Sequence, residues 1–164
     1  MADERTCLIT GASTGIGAAP THTLLDAGWN VVGTSRSEER LAALADAADA
    51  GERLTVSVAD AGDWADTQRV ELCAERYGRI DAVVANAGYT LPGDFRQADV
   101  AQWPAMVATN VLGSAYLARA AADHLEASGG RLVLIGSVAG HKNSPGNLTA
   151  PPSGRSPVWQ RTCG

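Results

Sequence analysis

Short apolar segments alternate with longer helical segments along most of this 164-residue chain. The apolar segments are predicted strands, and the segments between them are predicted helices that end at glycine signals. The predicted strands cover residues 6–9, 30–34, 54–58, 80–85 and 131–135. The predicted helices cover residues 15–27, 38–50, 64–77 and 100–127, the last with an interruption near Gly113. This alternation predicts an α/β fold, a doubly wound parallel sheet with helices on both faces.

The composition excludes several classes of protein. Hydrophobic residues make up 45% of the chain, which is typical of one globular domain with a core. The net charge of −5 and the lack of a basic stripe argue against a nucleic-acid partner. No apolar run reaches the roughly 18 residues of a membrane span, and the charged N-terminus is unlike a signal peptide. The three cysteines are far apart, which favours reduced thiols in a cytoplasmic protein without a metal site.

The turn between the first predicted strand and helix is rich in glycine. Residues 10–17 read Thr-Gly-Ala-Ser-Thr-Gly-Ile-Gly. Glycines let the backbone turn sharply and approach a pyrophosphate, and the helix N-terminus offers N–H groups to that anion. A turn without a ligand is the alternative, but the strand–turn–helix context favours dinucleotide binding. The candidate contacts in this turn are Gly11, Ser13, Thr14, Gly15, Ile16 and Gly17.

Three further motifs follow in order. They are Asn86-Ala87-Gly88 after the fourth strand, Asn110 within the long helix, and Ser137 after the fifth strand. Together with the spacing Gly-x-x-x-Gly-x-Gly, they resemble the short-chain dehydrogenase/reductase family from residue 5 to about 148. The resemblance implies a Rossmann-type sheet of strand order 3-2-1-4-5-6-7, of which this chain holds the first five strands.

The resemblance also implies an activity and residue roles. The family transfers hydride between a nicotinamide dinucleotide and a small carbonyl or alcohol substrate, and it forms homo-oligomers, whose interface would be incomplete here. Asn86, Ala87 and Gly88 would line the adenosine side of the site. Asn110 would hold a water in a proton relay, and Ser137 would hydrogen-bond the substrate oxygen. Taken alone, Asn110 could be a buried residue that satisfies a helix kink, and Ser137 a turn residue.

The residues that close the second strand favour NADP(H) over NAD(H). An acidic residue there would accept a hydrogen bond from the ribose 2′-OH of NAD, whereas an arginine would pair with the 2′-phosphate of NADP. Residues 33–37 contain no carboxylate, and Arg36, helped by Ser35 or Ser37, is the predicted phosphate partner. An exposed arginine without a ligand is the alternative, so NAD(H) stays open. Asp60 resembles the family residue near the adenine and is also a candidate N-cap.

The catalytic Tyr-x-x-x-Lys motif of the family is missing. No tyrosine follows Tyr116 and no lysine follows Lys142, and residues 149–164 show no apolar period. One permitted choice of codons for residues 149–164, read with one extra base in front, encodes Tyr-Gly-Ala-Thr-Lys-Trp-Ala-Val-Thr-Gly-Leu-Ala-Glu-Asn-Met-Arg. We therefore hypothesise an incomplete dinucleotide-binding domain over residues 1–148, followed by an out-of-frame tail. Negligible turnover is expected, because removing a general acid/base typically costs about 10²–10⁴-fold in rate.

Three functions remain in contention for this sequence. The first is a truncated reductase, the second a pseudo-enzyme that binds NADP(H) without chemistry, and the third an interaction protein. The third would use Arg131–Ile135, which we expect to be an exposed apolar edge and a site of aggregation. Pro20 falls inside the first predicted helix and is expected to loosen its start.

Overall fold

A computed structural model describes residues 4–91 and 95–137 of the chain. The strands are β1 (Thr6–Thr10), β2 (Asn30–Ser35), β3 (Leu54–Val58), β4 (Ala82–Ala85) and β5 (Arg131–Leu134). The α-helices are α1 (Gly15–Asp26), α2 (Glu38–Ala48), α3 (Trp64–Thr67), α4 (Val70–Tyr77), α5 (Trp103–Val107) and α6 (Gly113–Ser128). Short 3₁₀ turns cover Gly51–Arg53, Phe95–Gln97 and Val100–Gln102, and a π-turn covers Ala108–Leu112.

The strands form one parallel sheet of order β3-β2-β1-β4-β5. This confirms the predicted doubly wound sheet. The chain moves from β1 outward to β2 and β3, then returns to the other side of β1 with β4. Loops at the carboxyl ends of β1 and β4 therefore diverge, and such a switch point is where open α/β sheets bind ligands.

The sheet is covered by apolar side chains on both faces. Alternate residues of β1 point to opposite faces, as a strand requires, with Leu8 in one cluster and Cys7 and Ile9 in the other. The residues of β1 and β2 are almost all buried, as expected of parallel strands covered on both faces, and each strand has an apolar centre between polar ends. Because this core holds the end of β1 in place, it also fixes the position of the glycine turn that follows.

Two helices differ from the sequence-based expectation. The helix predicted over residues 64–77 breaks into α3 and α4 around Gln68 and Arg69. Buried positions there recur every three residues, at Thr67, Val70 and Cys73, which a tightened turn satisfies better than a uniform helix of 3.6 residues per turn. The second helix ends at Ala48 rather than Ala50, because Asp49 adopts the left-handed conformation with φ 41°.

The expected loosening of the first helix at Pro20 is wrong. The helix α1 runs without a break from Gly15 to Asp26. At its sixth position, Pro20 removes only the hydrogen bond that its own nitrogen would have donated to the carbonyl of Ile16. The hydroxyl of the next residue, Thr21, donates to the Gly17 carbonyl at 3.0 Å, which adds a contact along the same helix.

The strand β5 forms an edge of the sheet within the described residues. It pairs with β4 on one side, and its apolar residues are exposed, with Leu134 at 60%. The expected exposed apolar edge is therefore confirmed. No helix in the described part of the chain combines the length and apolar character needed to cross a membrane.

Candidate functional site

A cavity of about 440 Å³ opens at the carboxyl edge of the sheet. It lies at the switch point between the two halves of the sheet. The lining residues are Gly11, Ser13, Thr14, Thr34, Ser35, Arg36, Ser37, Arg40, Ala59, Asp60, Ala61, Ala87, Gly88, Tyr89 and Thr109. Seven of the residues predicted to bind cofactor are among them: Gly11, Ser13, Thr14, Arg36, Asp60, Ala87 and Gly88.

The glycine turn forms one wall of the cavity. Gly11 and Gly15 have φ values of +66° and +53°, which favour glycine, and a β-carbon on Gly17 would overlap the carbonyl oxygen of Gly11. The helix α1 can therefore begin directly against the end of β1. Thr14 precedes α1 without a side-chain capping bond, and the first turn carries no acidic residue. The first-turn N–H groups suit an anion, so the residues present fit a bound pyrophosphate.

Thr10 and Asn86 fasten the glycine turn to the loop after β4. The Asn86 amide Nδ2 donates to the carbonyls of Thr10 at 3.0 Å and Gly11 at 3.2 Å. In return, the Thr10 hydroxyl accepts the backbone N–H groups of Asn86 and Ala87, each at 3.1 Å. Asn86 thus positions two loops rather than lining the cavity. Thr10 was not predicted from the sequence, where its signal is a hydroxyl at the last strand position before the glycine turn.

Three serines line the cavity at the end of β2. The Ser13 hydroxyl lies 2.8 Å from that of Ser35, to which it donates, and Ser35 also accepts the N–H of Ser37 at 3.3 Å. The Ser37 hydroxyl accepts the N–H of Arg40 at 3.3 Å and so caps α2. These bonds join the glycine turn to the start of α2.

Two arginines stand beside these serines. Arg36 is exposed, and its guanidinium carbon lies 5.3 Å from the centre of the Tyr89 ring. Arg40 lines the same cavity one helical turn later. Among the lining residues Asp60 is the acidic one, so the β2 end of the cavity carries positive charge. Arg40 was not predicted, although its spacing of four from Arg36 was available in the sequence.

Asp60 lies at the end of β3, on the cavity wall. Its Oδ1 accepts the N–H of Gly62 at 2.8 Å, and its own N–H donates to Asp66 Oδ2 at 2.8 Å. The N-cap of α3 is Asp63, which accepts the N–H of Ala65. The alternative in which Asp60 caps the following helix is therefore wrong, because the chain turns through Gly62 before the helix begins.

Asn110 lies in the π-turn between α5 and α6. Its Oδ1 accepts the N–H of Tyr89 at 3.0 Å, and its Nδ2 donates to the Tyr89 carbonyl at 2.8 Å. The residue is exposed, so the alternative of a buried asparagine that satisfies a helix kink is wrong. Asn110 is not itself a lining residue, but it fixes the backbone of Tyr89, which is.

Some predicted positions do not line the cavity, and others lie outside the described residues. Gly15, Ile16 and Gly17 form the first turn of α1 directly after the lining residue Thr14, and Ser137 follows β5 at the carboxyl edge without lining the cavity. The proposed tail, residues 149–164, lies outside the described residues.

The described residues offer neither a metal centre nor a reactive thiol. No group of three or more His, Cys, Asp or Glu side chains among residues 4–91 and 95–137 could hold a metal ion. Burial, with the nearby charge of Asp81, raises the pKa of Cys7 to about 12, and burial also raises the pKa of Cys73. Both thiols therefore stay protonated at neutral pH and act as small apolar core residues.

Comparison with known proteins decides the family. The sequence profile of the short chain dehydrogenase family matches residues 5–149. The chain belongs to this family. The short-chain dehydrogenase resemblance drawn from the four sequence motifs is thereby confirmed.

Individual relatives cover most of this chain but only part of their own length. Sulfoacetaldehyde reductase 2 from Chromohalobacter salexigens is 36% identical over 144 residues, which are 85% of this chain and 57% of the relative. An NADP-dependent 3-hydroxy acid dehydrogenase from Shigella flexneri is 34% identical over 81% of this chain and 54% of its own. The crystal structure of serine dehydrogenase from Escherichia coli matches with a TM-score of 0.76 and 32% identity, covering 86% of this chain and 66% of that one. This chain thus spans less than two thirds of the length of these curated relatives.

Proposed function

We propose that this chain is the cofactor-binding part of an NADP(H)-dependent short-chain dehydrogenase/reductase. The reaction of the whole protein would be reversible hydride transfer between NADP(H) and a small carbonyl or alcohol. The observation that carries the proposal is the β2 end of the cavity, where Arg36 and Arg40 stand beside three serine hydroxyls. An exposed guanidinium can bind the 2′-phosphate of NADP(H) through two hydrogen bonds, which NAD(H) cannot provide. The NADP-dependent relative from Shigella flexneri supports the same choice.

The remaining cofactor contacts follow from the cavity wall. The pyrophosphate would bind at the N-terminus of α1, where no side chain caps the first-turn N–H groups and Thr14 lines the cavity. Asp60 would lie at the adenine, and Ala87 and Gly88 at the adenosine, because all three line the cavity beside the arginines. When bound, NADP(H) supplies or accepts the hydride.

Two residues of this chain would serve the chemistry of the whole enzyme. Ser137, at the carboxyl end of β5, would donate a hydrogen bond to the substrate oxygen. Asn110 would hold a water of the proton relay at its π-turn while its side chain stays on Tyr89. The general acid/base of the family is absent from this sequence, so we propose that the chain binds NADP(H) but does not turn over.

A pseudo-enzyme is the second candidate. It is favoured by one specific combination: the cavity keeps its glycine turn, Arg36 and Asp60, while the sequence has no Tyr-x-x-x-Lys motif. Such a protein would use bound NADP(H) as a sensed ligand rather than as a reactant. Both candidates predict the same binding of NADP(H), and the coding DNA after codon 148 separates them.

Calorimetric titration of the purified chain with NADPH and with NADH tests the proposal. We expect tighter binding of NADPH. Replacing Arg36 with alanine should weaken NADPH binding by about 10- to 100-fold, the equivalent of losing a hydrogen bond to a charged group. Because NADH has no 2′-phosphate for Arg36 to bind, its dissociation constant should change by less than about twofold. Arg119→Ala, on the exposed side of α6, is the matched control and should change neither value.

Three results would contradict the proposal. Equal affinity for the two nucleotides in the unmodified chain would overturn the NADP(H) preference. Absence of binding to either would overturn cofactor binding by this chain. Oxidation of NADPH by the purified chain in the presence of small aldehydes or ketones would overturn the proposed loss of turnover.

A further inference from the structure

We propose that Tyr89 is a positioning residue for coenzyme selectivity, which holds Arg36 ready for the 2′-phosphate. The inference rests on the proposed function, since it assigns a partner to the arginine that the NADP(H) preference depends on. The guanidinium of Arg36 lies 5.3 Å from the centre of the Tyr89 ring, within the range of a cation–π contact. Both residues line the same cavity, although 53 positions separate them along the chain.

The backbone of Tyr89 is fixed before any ligand binds. Asn110 accepts its N–H at 3.0 Å and donates to its carbonyl at 2.8 Å, so the peptide groups on both sides of the Cα are held. The side chain is half-buried. The Tyr89 ring is therefore held in place beside Arg36 and is less mobile than a side chain exposed at the surface.

Contact with the Tyr89 ring restricts the Arg36 side chain but leaves its hydrogen-bond donors available. An exposed arginine has several rotatable bonds, and fixing them on binding costs conformational entropy. Contact with an aromatic ring uses the flat face of the guanidinium and leaves the N–H groups at its edge free for a phosphate. Ser35 and Ser37, on either side of Arg36 in the chain, line the same part of the cavity. Tyr89 thus lowers the cost of ordering Arg36 when the phosphate arrives.

The effect of Tyr89 should appear in selectivity rather than in affinity alone. The 2′-phosphate is what distinguishes NADPH from NADH, and Arg36 is the residue through which the ring acts. Any direct contact of the ring with the adenosine would be common to both nucleotides and would cancel in the ratio of their dissociation constants. The ratio therefore isolates the positioning role.

The test compares Tyr89→Leu with Tyr89→Phe by calorimetric titration with NADPH and NADH. Leucine removes the aromatic face but keeps the backbone bonds to Asn110, whereas phenylalanine keeps the face. We expect Tyr89→Leu to lower the preference for NADPH by about two- to fivefold, the size of an exposed cation–π contact. Tyr89→Phe should keep the preference of the unmodified chain. In an Arg36→Ala background, Tyr89→Leu should cause no further loss of preference.

Other results would contradict either the role of Tyr89 or the proposed function. Equal weakening of both nucleotides in Tyr89→Leu, or an unchanged ratio, overturns the positioning role. So does an additional loss of preference in the Arg36→Ala background. If the unmodified chain prefers NADPH and Arg36→Ala removes that preference, the proposed function stands whatever Tyr89 does. If the unmodified chain shows no preference, the proposed function fails and the inference fails with it.

Discussion

At the scale of single residues, two threonines of β1 have opposite surroundings. The Thr10 hydroxyl accepts two backbone N–H groups from the loop after β4, at 3.1 Å each. The Thr6 hydroxyl is buried and has no hydrogen-bond partner within the described residues. Thr10→Val should lower the free energy of unfolding by about 2 kcal/mol or more, because two N–H groups lose their acceptor. Thr6→Val should raise it by about 1 kcal/mol, because an unsatisfied buried hydroxyl is removed.

Urea denaturation followed by tryptophan fluorescence measures both changes. The substitution and the strand are the same in the two variants, so effects of side-chain volume and strand propensity largely cancel. A shift of both variants in the same direction would contradict the assigned hydrogen bonds. Thr10→Val should also weaken NADPH and NADH binding equally, since it loosens the cavity wall without touching Arg36.

Some residues of the site could be predicted from the sequence, and others could not. Arg36 was predicted because its position after β2 is local information. Its ring partner Tyr89 was not, because the contact depends on the paths of two loops and on the hydrogen bonds of Asn110. Thr10 was missed for a similar reason, since its partners lie 76 and 77 positions away along the chain.

At the scale of elements, the π-turn depends on close contact with the loop after β3. A β-carbon on Gly113 would lie 2.5 Å from the carbonyl oxygen of Ala61, and one on Gly62 would lie 3.1 Å from the nitrogen of Thr109. Two glycines from different segments therefore let the backbones touch. This contact joins the loop that carries Asp60 to the turn that carries Asn110.

Gly113→Ala tests this contact. Alanine favours a helix over glycine by about 1 kcal/mol, so an uncrowded site would gain stability. We expect instead a loss of about 1–3 kcal/mol in unfolding free energy, because the methyl group must displace the Ala61 backbone. Gly136→Ala, whose added β-carbon would have no atom of the described residues within 4 Å, is the control and should be nearly neutral. A stabilised Gly113→Ala variant in thermal or urea denaturation would contradict the close contact.

The elements also show why some boundaries could be predicted and others could not. The strands were placed within two residues, because each shows a short apolar centre or a period-two alternation between turn signals. The place of the interruption near Gly113 was predicted, but its π-turn form was not, and the close contact with Ala61 beside it involves a loop distant in sequence. The break between α3 and α4 likewise follows from what Thr67 and Val70 bury, which no local propensity signals.

At the scale of the whole molecule, the exposed edge strand β5 and the missing Tyr-x-x-x-Lys motif both involve the part of the chain that follows β5. The apolar residues of β5 are open to solvent within the described residues, with Val133 at 43% and Leu134 at 60% exposure. An uncovered apolar edge promotes association between chains. Chain added after β5 that resumed the family pattern would cover this edge and would also supply the tyrosine and lysine. We propose that one change in the coding sequence accounts for both features.

The coding DNA across codons 148 and 149 tests this proposal directly. With one base added before codon 149, we expect the source gene to encode Tyr-x-x-x-Lys and to continue in that frame. DNA that cannot encode the motif would refute the out-of-frame tail and leave the pseudo-enzyme as the better account. The protein made from the restored frame should oxidise NADPH with a small carbonyl substrate and elute as a defined oligomer. Changing its restored tyrosine to phenylalanine should lower turnover by about 10²–10⁴-fold, because that side chain would transfer the proton. The affinity for NADPH should stay the same, because the cavity wall binds the cofactor.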